Sequence, residues 1–316
     1  MNTPSQDELR RAAALLRAGK LVAFPTETVY GLGANALDAA AVQRIFEVKG
    51  RPSASPIIVH VSSMRMAPMV AAEWPAEADL LAHAFWPGPL TLVVKKQPAV
   101  PDIVTAGLDT VGVRMPSHPV ALALIEAAGV PVAAPSANRF AQLSPTTAQH
   151  VRDGLGNSVD YILDGGPCSV GIESTVLSLA GDGPVLLRPG AVSRPQLEEF
   201  VGPVTVQSEA PAGAHPAPGM HPRHYSPHTP LLLLGNGEVP SAGRGAYLQL
   251  RQPPQRAVEE LVLMPGSAAE YAANLYLTLH ELDQRGYDWI AVETPQGGAE
   301  WEAVLDRLRR AASPLL

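Results

Sequence analysis

"DAAAVQRIFEVKGRPSASPIIVHV", residues 38–61, carries a helix directly into a strand. Asp38 is placed to cap a helix over residues 39–48, and Pro52 ends it because the residue before a proline resists helical geometry. The apolar run PIIVHV (56–61) then reads as a buried strand. Upstream, LVAF (21–24) reads the same way, and Ser5 with Glu8 forms a capping-box pattern heading an amphipathic helix that Gly19 stops. Downstream, the pattern predicts helices near 77–86 and 119–128, and strands near 90–95, 111–114, 131–134, 160–163, 175–179 and 184–188. Helices and strands alternate without a strict repeat, which predicts an α/β fold on a mixed sheet. PTETVYGLGANA (25–36), marked by proline and glycines, is expected to be a loop on the rim of that sheet.

Past residue 205 the composition changes. SEAPAGAHPAPGMHPRHYSPHTP (208–230) is dense in proline, alanine, glycine and histidine and reads as an extended linker. LLLL (231–234), AYLQL (246–250), ELVLM (260–264), a helix over about 268–285, WIAVE (289–293) and a last helix near 299–312 then predict a small parallel-sheet, Rossmann-like unit. The expected division is a catalytic domain over 1–207, a linker over 208–229 and an accessory domain over 230–316.

The chain has 316 residues, 46 % hydrophobic and 17 % charged, which is globular composition. A net charge of −7 argues against a broad face for non-specific nucleic-acid binding, so an anionic ligand must be met by a few placed cations. The single cysteine, Cys168, makes no internal disulfide and fits a reducing cytoplasm. The N-terminus has no signal-peptide pattern, and no apolar run approaches the ~20 residues of a membrane span. The protein is expected to be cytoplasmic.

Lys49 is one of only four lysines, and it stands two positions from Arg51 where the helix gives way to a loop. In an extended segment that spacing aims both side chains to one side, and a guanidinium fork beside an ammonium suits a polyphosphate. The structural alternative is a helix C-terminus whose cations complement the dipole. Arg114, in DTVGVRMPSHP (109–119), lies beside an apolar strand and needs a carboxylate, from the fold or from a ligand. His60 ends an apolar strand, where a histidine is ordinarily a satisfied structural group. Ser136 and Asn138 of APSANRF (134–140) offer neutral hydrogen bonds to a ribose, base or phosphate, or to their own turn. GGPCSVGIESTV (165–176) lacks the spacing of known phosphate loops. The linker histidines 215, 221, 224 and 228 lack the ordered scaffold that zinc sites draw on. Tyr225 is the linker's only aromatic and is placed to dock.

FPTETVYGLG, KGRP, SPIIVHV, WPGPLTLV, VGVRMPSHP, APSAN, ESTV, LLRPGAVS and PGMHPRHYSP, taken in order, resemble the threonylcarbamoyl-AMP synthase (YrdC-like) family in its long, two-domain form. NLYLTLHELD and DRLRRAA also look like its accessory domain. The resemblance implies a YrdC-like three-layer domain with a twisted mixed sheet plus a small Rossmann-like C-terminal domain. It implies a nucleotidyltransferase that condenses L-threonine, bicarbonate and ATP to threonylcarbamoyl-AMP and pyrophosphate, for a tRNA threonylcarbamoyl transferase complex to pass on to tRNA. By position it places Lys49 and Arg51 on the triphosphate as catalytic cations. Ser55, Thr110, Ser136, Asn138, Ser144, Arg188 and Tyr225 join Arg51 in the ATP site, and Thr28, His60, Arg114, Ala134 and Ser174 bind threonine, Arg114 facing its carboxylate. Mg²⁺ is expected with ATP, without a dedicated protein cage. Ser55 stands where the family often has asparagine, and Pro222 where many relatives carry another side chain. The linker is expected to act as a lid over a hydrolysable intermediate. Two alternatives stay open: an RNA-binding module without turnover, disfavoured by the acidic charge, and a related carbamoyl- or adenylate-transferring enzyme.

Overall fold

The structure is a computed structural model and describes residues 3–207 and 224–313. In chain order the first part contains α1 (Gln6–Arg17), β1 (Val22–Phe24), β2 (Gly31–Asn35), α2 (Ala39–Lys49), β3 (Val59–His60), α3 (Ala76–Phe85), β4 (Leu90–Lys95), α4 (Asp102–Thr105), β5 (Thr110–Arg114), α5 (Pro119–Ala128) and β6 (Val132–Ala133). It continues with α6 (Ala148–Leu155), β7 (Tyr161–Ile162), β8 (Thr175–Ser178), β9 (Val185–Arg188), α7 (Arg194–Val201) and β10 (Thr205–Val206). The second part holds β11 (Leu231–Leu234), β12 (Gly245–Gln249), β13 (Glu260–Leu263), α8 (Ala268–Asp283), β14 (Trp289–Glu293) and α9 (Glu302–Ala311).

The first ten strands form one mixed sheet in the order β10-β9-β8-β4-β5-β3-β6-β2-β1-β7. Parallel pairs such as β3/β5 and β4/β8 alternate with antiparallel ones such as β4/β5 and β3/β6. One face carries α1 and α5, whose Leu16, Leu124 and Ile125 pack on Val22, Phe24 and Leu163. The other carries α2 and α3, with Val42, Ile45 and Leu81 against Leu32, Val59, Leu92 and Val113. Helix, sheet and helix make three layers.

The glycine-marked stretch departs from its reading as loop. GLGAN is a buried strand, β2, paired antiparallel with β1 and β6. Its glycines make room: a Cβ on Gly33 would stand 2.8 Å from the Phe24 ring and 2.9 Å from Val132 Cγ1. Glycine here permits close packing rather than a turn.

In the second sheet all strands are parallel, in the order β11-β14-β12-β13. Leu231, Leu248, Ile290 and Val292 point toward α8 and α9, while Leu232, Tyr247, Trp289 and Ala291 form a small cluster on the opposite face with Val239 and Val258. The helices therefore cover one face only. At the carboxyl rim, Glu293 Oε2 accepts from the successive N–H groups of Leu250, Arg251 and Gln252 at 2.7, 2.7 and 3.0 Å. Three converging amides make an anion-binding concavity, and the chain fills it with its own carboxylate.

The two parts meet through α8 and α9. Gly171, at φ +76°, lets its loop approach the backbone of α8 so closely that a Cβ would lie 2.5 Å from the Ala272 carbonyl oxygen. No helix of the described residues is long and apolar enough to cross a membrane.

Candidate active site

Asp38 accepts from the N–H groups of Ala40 and Ala41 and starts α2; Gly50, at φ +62°, ends it. That left-handed turn undoes the argument that Lys49 and Arg51 point the same way, which assumed extended backbone. Lys49, the last helical residue, is buried and donates from Nζ to the Ser136 carbonyl at 2.6 Å and to the Asn138 carbonyl. It ties the end of α2 to the loop after β6. Burial, with Arg51 adding to it, holds its ammonium well below the ordinary lysine value. Arg51 donates to the carbonyls of Ser55 at 3.4 Å and Pro56 at 2.9 Å and lines a central cavity. Burial lowers its pKa to about 10, with Tyr225 opposing the shift and Arg188 adding to it.

That cavity, of about 50 Å³, is walled by strand ends on one side and by His224 and Tyr225 on the other. Thr28, Arg51, His60, Arg114, Ala134, Ser136, Ser174, Arg188 and Tyr225 line it together. Lys49, Ser55, Thr110, Asn138 and Ser144 do not. Thr110 sits at the start of β5 opposite Lys95. Asn138 uses its amide to hold its own loop, donating to the Arg139 and Gln142 carbonyls at 2.8 and 2.9 Å. Ser144 is buried and donates to Glu173 Oε1 at 2.5 Å. Ser55 is buried in the turn that Arg51 spans. Of the linker, Pro222, His215 and His221 lie outside the described residues.

Arg114 has its carboxylate within the fold. Its Nη2 lies 2.7 Å from Glu27 Oε1, Nη1 donates to Thr28 Oγ1 at 2.9 Å and Nε to the Gly88 carbonyl at 3.2 Å. Glu27 also accepts the Ser117 N–H at 3.1 Å. A guanidinium has five N–H donors, so three partners leave capacity for a ligand anion. Thr28 and Thr26 share a hydrogen bond of 2.8 Å, and Thr26 caps the turn back to Val29. Next to Arg114, burial and then the guanidinium charge push His60 down to about 3. It is therefore a neutral imidazole at ordinary pH.

Arg188 ends β9 and reaches back across the β8 start, donating to the Ser174 carbonyl at 3.0 Å and to Ser174 Oγ at 3.2 Å. Ser174 Oγ also bonds Thr91 Oγ1 at 2.8 Å. Glu173, the residue before, lines the cavity and is held by the second part of the chain. Tyr276 of α8 donates to its Oε2 at 3.2 Å, and Arg307 of α9 donates from Nε to the same oxygen at 2.9 Å. Burial alone would raise the Glu173 carboxyl; Arg307, then Arg188 and the Ser144 hydroxyl, outweigh it and hold it below the ordinary value. Tyr225 packs near Tyr276 with centroids 6.0 Å apart and under the Arg307 guanidinium at 5.5 Å. Its φ of +62° turns the chain so that the Ser226 N–H meets the Ala141 carbonyl at 2.9 Å.

Three guanidiniums (Arg51, Arg114 and Arg188) thus face one small, desolvated space among hydroxyls, with a neutral imidazole between strand ends. Such a wall is chemically suited to a polyanion or a carboxylate, because guanidiniums in a desolvated space offset anionic oxygens. Thr26, Glu27, Glu173, Tyr276 and Arg307 complete or brace the site without having been singled out from the sequence, and His224, weighed there only as a metal ligand, lines the cavity. Cys168 is buried beneath it, its thiol pushed up by burial, and so is no nucleophile.

Comparison with known proteins places the whole chain. Residues 14–190 match a family model described as "Telomere recombination", and residues 192–313 match one described as "Threonylcarbamoyl-AMP synthase, C-terminal domain". The threonylcarbamoyl-AMP synthase of Pyrococcus abyssi is 41 % identical over 96 % of this chain and 94 % of its own length. That of Bacillus subtilis is 42 % identical over 96 % and 93 %. The crystal structure of P. abyssi Sua5 complexed with L-threonine superposes with a TM-score of 0.91 at 40 % identity, covering 98 % of this chain and 96 % of that one. Escherichia coli YciO matches the first part alone, with a TM-score of 0.52 at 27 % identity, covering 60 % of this chain and 92 % of its own. With both parts matched in order and at this identity, the chain belongs to the threonylcarbamoyl-AMP synthase family, in its two-domain form.

Proposed function

We propose that the cavity is where L-threonine, bicarbonate and ATP meet to give threonylcarbamoyl-AMP and pyrophosphate. The observation that carries this reading is the convergence of Thr28, His60, Arg114, Ala134 and Ser174 with Arg51, Arg188 and Tyr225 on one space. In this reading the threonine carboxylate accepts the N–H groups that Arg114 does not spend on Glu27, Thr28 and Gly88. Neutral His60 and the Thr28 and Ser174 hydroxyls take its polar groups without adding charge. The threonine amine condenses with bicarbonate to an N-carboxylate (carbamate) with loss of water; a carbamate oxygen then attacks the α-phosphorus as the α,β-phosphoanhydride bond breaks and pyrophosphate leaves. Arg51 and Arg188 offset the charge on the phosphates, and Lys49 supports them from behind by fixing the Ser136–Asn138 loop. No covalent enzyme intermediate is required. The expected nucleotide contacts of Ser55, Thr110, Asn138 and Ser144 need a bound nucleotide to reach past the present cavity wall.

Mg²⁺ fits this wall as an ion carried on ATP. Glu173 is the sole carboxylate among the cavity-lining residues and is committed to Arg307 and Ser144, while Thr26, Thr28, Ser136 and Ser174 supply hydroxyls. When bound, Mg²⁺ neutralises phosphate charge and keeps its waters and phosphate ligands. At about 50 Å³ the cavity has no room for a nucleotide, so Tyr225 must shift for ATP to enter, consistent with a linker that gates the site. We read residues 1–207 as catalytic, 208–229 as gating linker and 230–316 as accessory. The product is hydrolysable and is passed in the cytoplasm to a tRNA-modifying transferase, and with a net charge of −7 direct tRNA contact by this chain is weak.

The test is pyrophosphate release from Mg·ATP with bicarbonate and L-threonine, together with recovery of the threonylcarbamoyl adenylate. Arg51→Ala and Arg114→Ala are each expected to lower kcat/KM by roughly 30- to 1000-fold, since a charge-assisted contact at a developing charge is worth about 2–4 kcal/mol. Arg114→Ala should act on threonine and Arg51→Ala on ATP. Release that is indifferent to threonine in the wild-type protein would sink the reading.

A further inference from the structure

Arg307 is fully buried, yet it lies on α9 of the second part and spends its guanidinium on the first. Nε meets Glu173 Oε2 at 2.9 Å, Nη2 meets the Glu173 carbonyl at 3.2 Å and Nη1 meets the Pro189 carbonyl at 2.9 Å. Residues 173 and 189 are the chain neighbours of Ser174 and Arg188, the pair that forms the floor of the cavity. One fork therefore fixes both ends of the Arg188–Ser174 contact. It also faces the sole carboxylate on the cavity wall. Asp306, its second acidic neighbour at 2.8 Å, is shared with Arg310 at 2.9 Å, so Arg307 remains available to Glu173.

An ionised carboxylate on the wall of a triphosphate site opposes the ligand and attracts the same cation the phosphates need. We propose that Arg307 is a positioning residue of the nucleotide site: by neutralising and anchoring Glu173 it keeps that carboxylate from competing with the phosphates for Arg188. The accessory part then completes the electrostatics of the catalytic part. This inference rests on the ATP reading given above. Tyr276 and Ser144, which donate to the two Glu173 oxygens, assist in holding the carboxylate but bring no charge.

The experiment compares wild type, Arg307→Gln, Arg307→Lys, Glu173→Gln and the Arg307→Gln/Glu173→Gln double variant as full chains. Mg·ATP affinity is read by calorimetry, and separate KM values for ATP and threonine are read by pyrophosphate release. Arg307→Gln is expected to weaken ATP by roughly tenfold or more, because it leaves a buried charge uncompensated, with the threonine KM within about twofold. The deficit should shrink as pH falls from 8 to 6, because without its cation Glu173 protonates at higher pH and ceases to repel. Removing the carboxylate in the double variant should restore ATP affinity to within about threefold of wild type. Arg307→Lys, which keeps the charge, should lie nearer wild type than Arg307→Gln.

A structural strut alone would weaken ATP and threonine together, independently of pH and without relief by Glu173→Gln, and that result overturns the proposal. So does an Arg307→Gln protein with wild-type ATP affinity. Should Arg307→Gln fail to fold, Arg307→Lys and Glu173→Gln carry the test: a lysine variant that loses ATP affinity tenfold while keeping its charge also overturns it. A wild-type protein that binds Mg·ATP but forms no threonylcarbamoyl adenylate would defeat the reading of function while leaving the comparison of ATP affinities intact.

Discussion

Replacing Lys49 by methionine separates two roles that its position near the cavity leaves entangled. The ammonium donates to the carbonyls of Ser136 and Asn138 and is absent from the cavity wall. Methionine keeps the stem and removes the donor, so two acceptors in a buried loop lose their charge-assisted partner. Each orphaned carbonyl costs about 1–3 kcal/mol. Relief of the desolvated ammonium offsets part of that, leaving about 2–4 kcal/mol. For a chain of this size the shift is about 3–6 °C in Tm. The pH dependence gives a second reading. A lysine whose folded pKa lies below its unfolded value of about 10.4 binds fewer protons folded than unfolded, so its contribution to stability rises with pH across that window. Lys49→Met should therefore lose stability least near neutral pH and progressively more toward pH 10. Thermal unfolding of both proteins from pH 7 to 10 is the assay, with ATP turnover followed in parallel. If Tm stays within a degree of wild type while turnover collapses, the ammonium serves the phosphates directly and the loop-pinning argument is wrong.

Further outcomes follow from neighbouring geometry. Glu27→Gln leaves Arg114 buried without its counter-charge at 2.7 Å and is expected to cost about 3 kcal/mol in chemical denaturation; a loss below about 1 kcal/mol contradicts the pairing. His60, near pKa 3 when folded against 6.5 free, favours the unfolded chain as pH falls below 6.5, and should remove about 2 kcal/mol of stability between pH 7 and 5. In His60→Gln that fall should be shallower by the same amount, which urea titrations at the two pH values would detect. Gly171→Ala places a Cβ 2.5 Å from the Ala272 carbonyl oxygen and strains a φ of +76°, so calorimetry should show the second part unfolding earlier, as a separate transition; one transition at the wild-type temperature would argue that the loop yields.

Much of the architecture was legible because caps and periodicity are local. Asp38, Ser5 with Glu8, and the continuous apolar run in WIAVE each declare an element within a few residues. Three helices escaped, the short α4 and two that carry local signals: Thr147 caps α6 by accepting the His150 N–H, and Ser193 with Gln196 forms a capping box at α7. The glycines of β2 misled because glycine serves close packing as well as turns, and only the Phe24 ring lying over Gly33 decides which. Within the site, single positions could be named but their partners could not. Glu27 meets Arg114, and Glu173 meets an arginine 134 residues away, and no local pattern encodes such pairs. The direction of Lys49 failed for a smaller reason, one left-handed glycine between two cations.

The carboxylate of Glu293, lodged among three amides, plugs one end, the carboxyl rim, of the four-stranded sheet. In parallel sheets that rim is where phosphate-bearing ligands ordinarily settle, and here the seat is permanently taken by the protein itself. With that end filled, the surface this unit turns to the rest of the chain is its helical flank. From that flank Tyr276 of α8 and Arg307 of α9 reach out of their own unit to hold Glu173 from behind the chamber's lining.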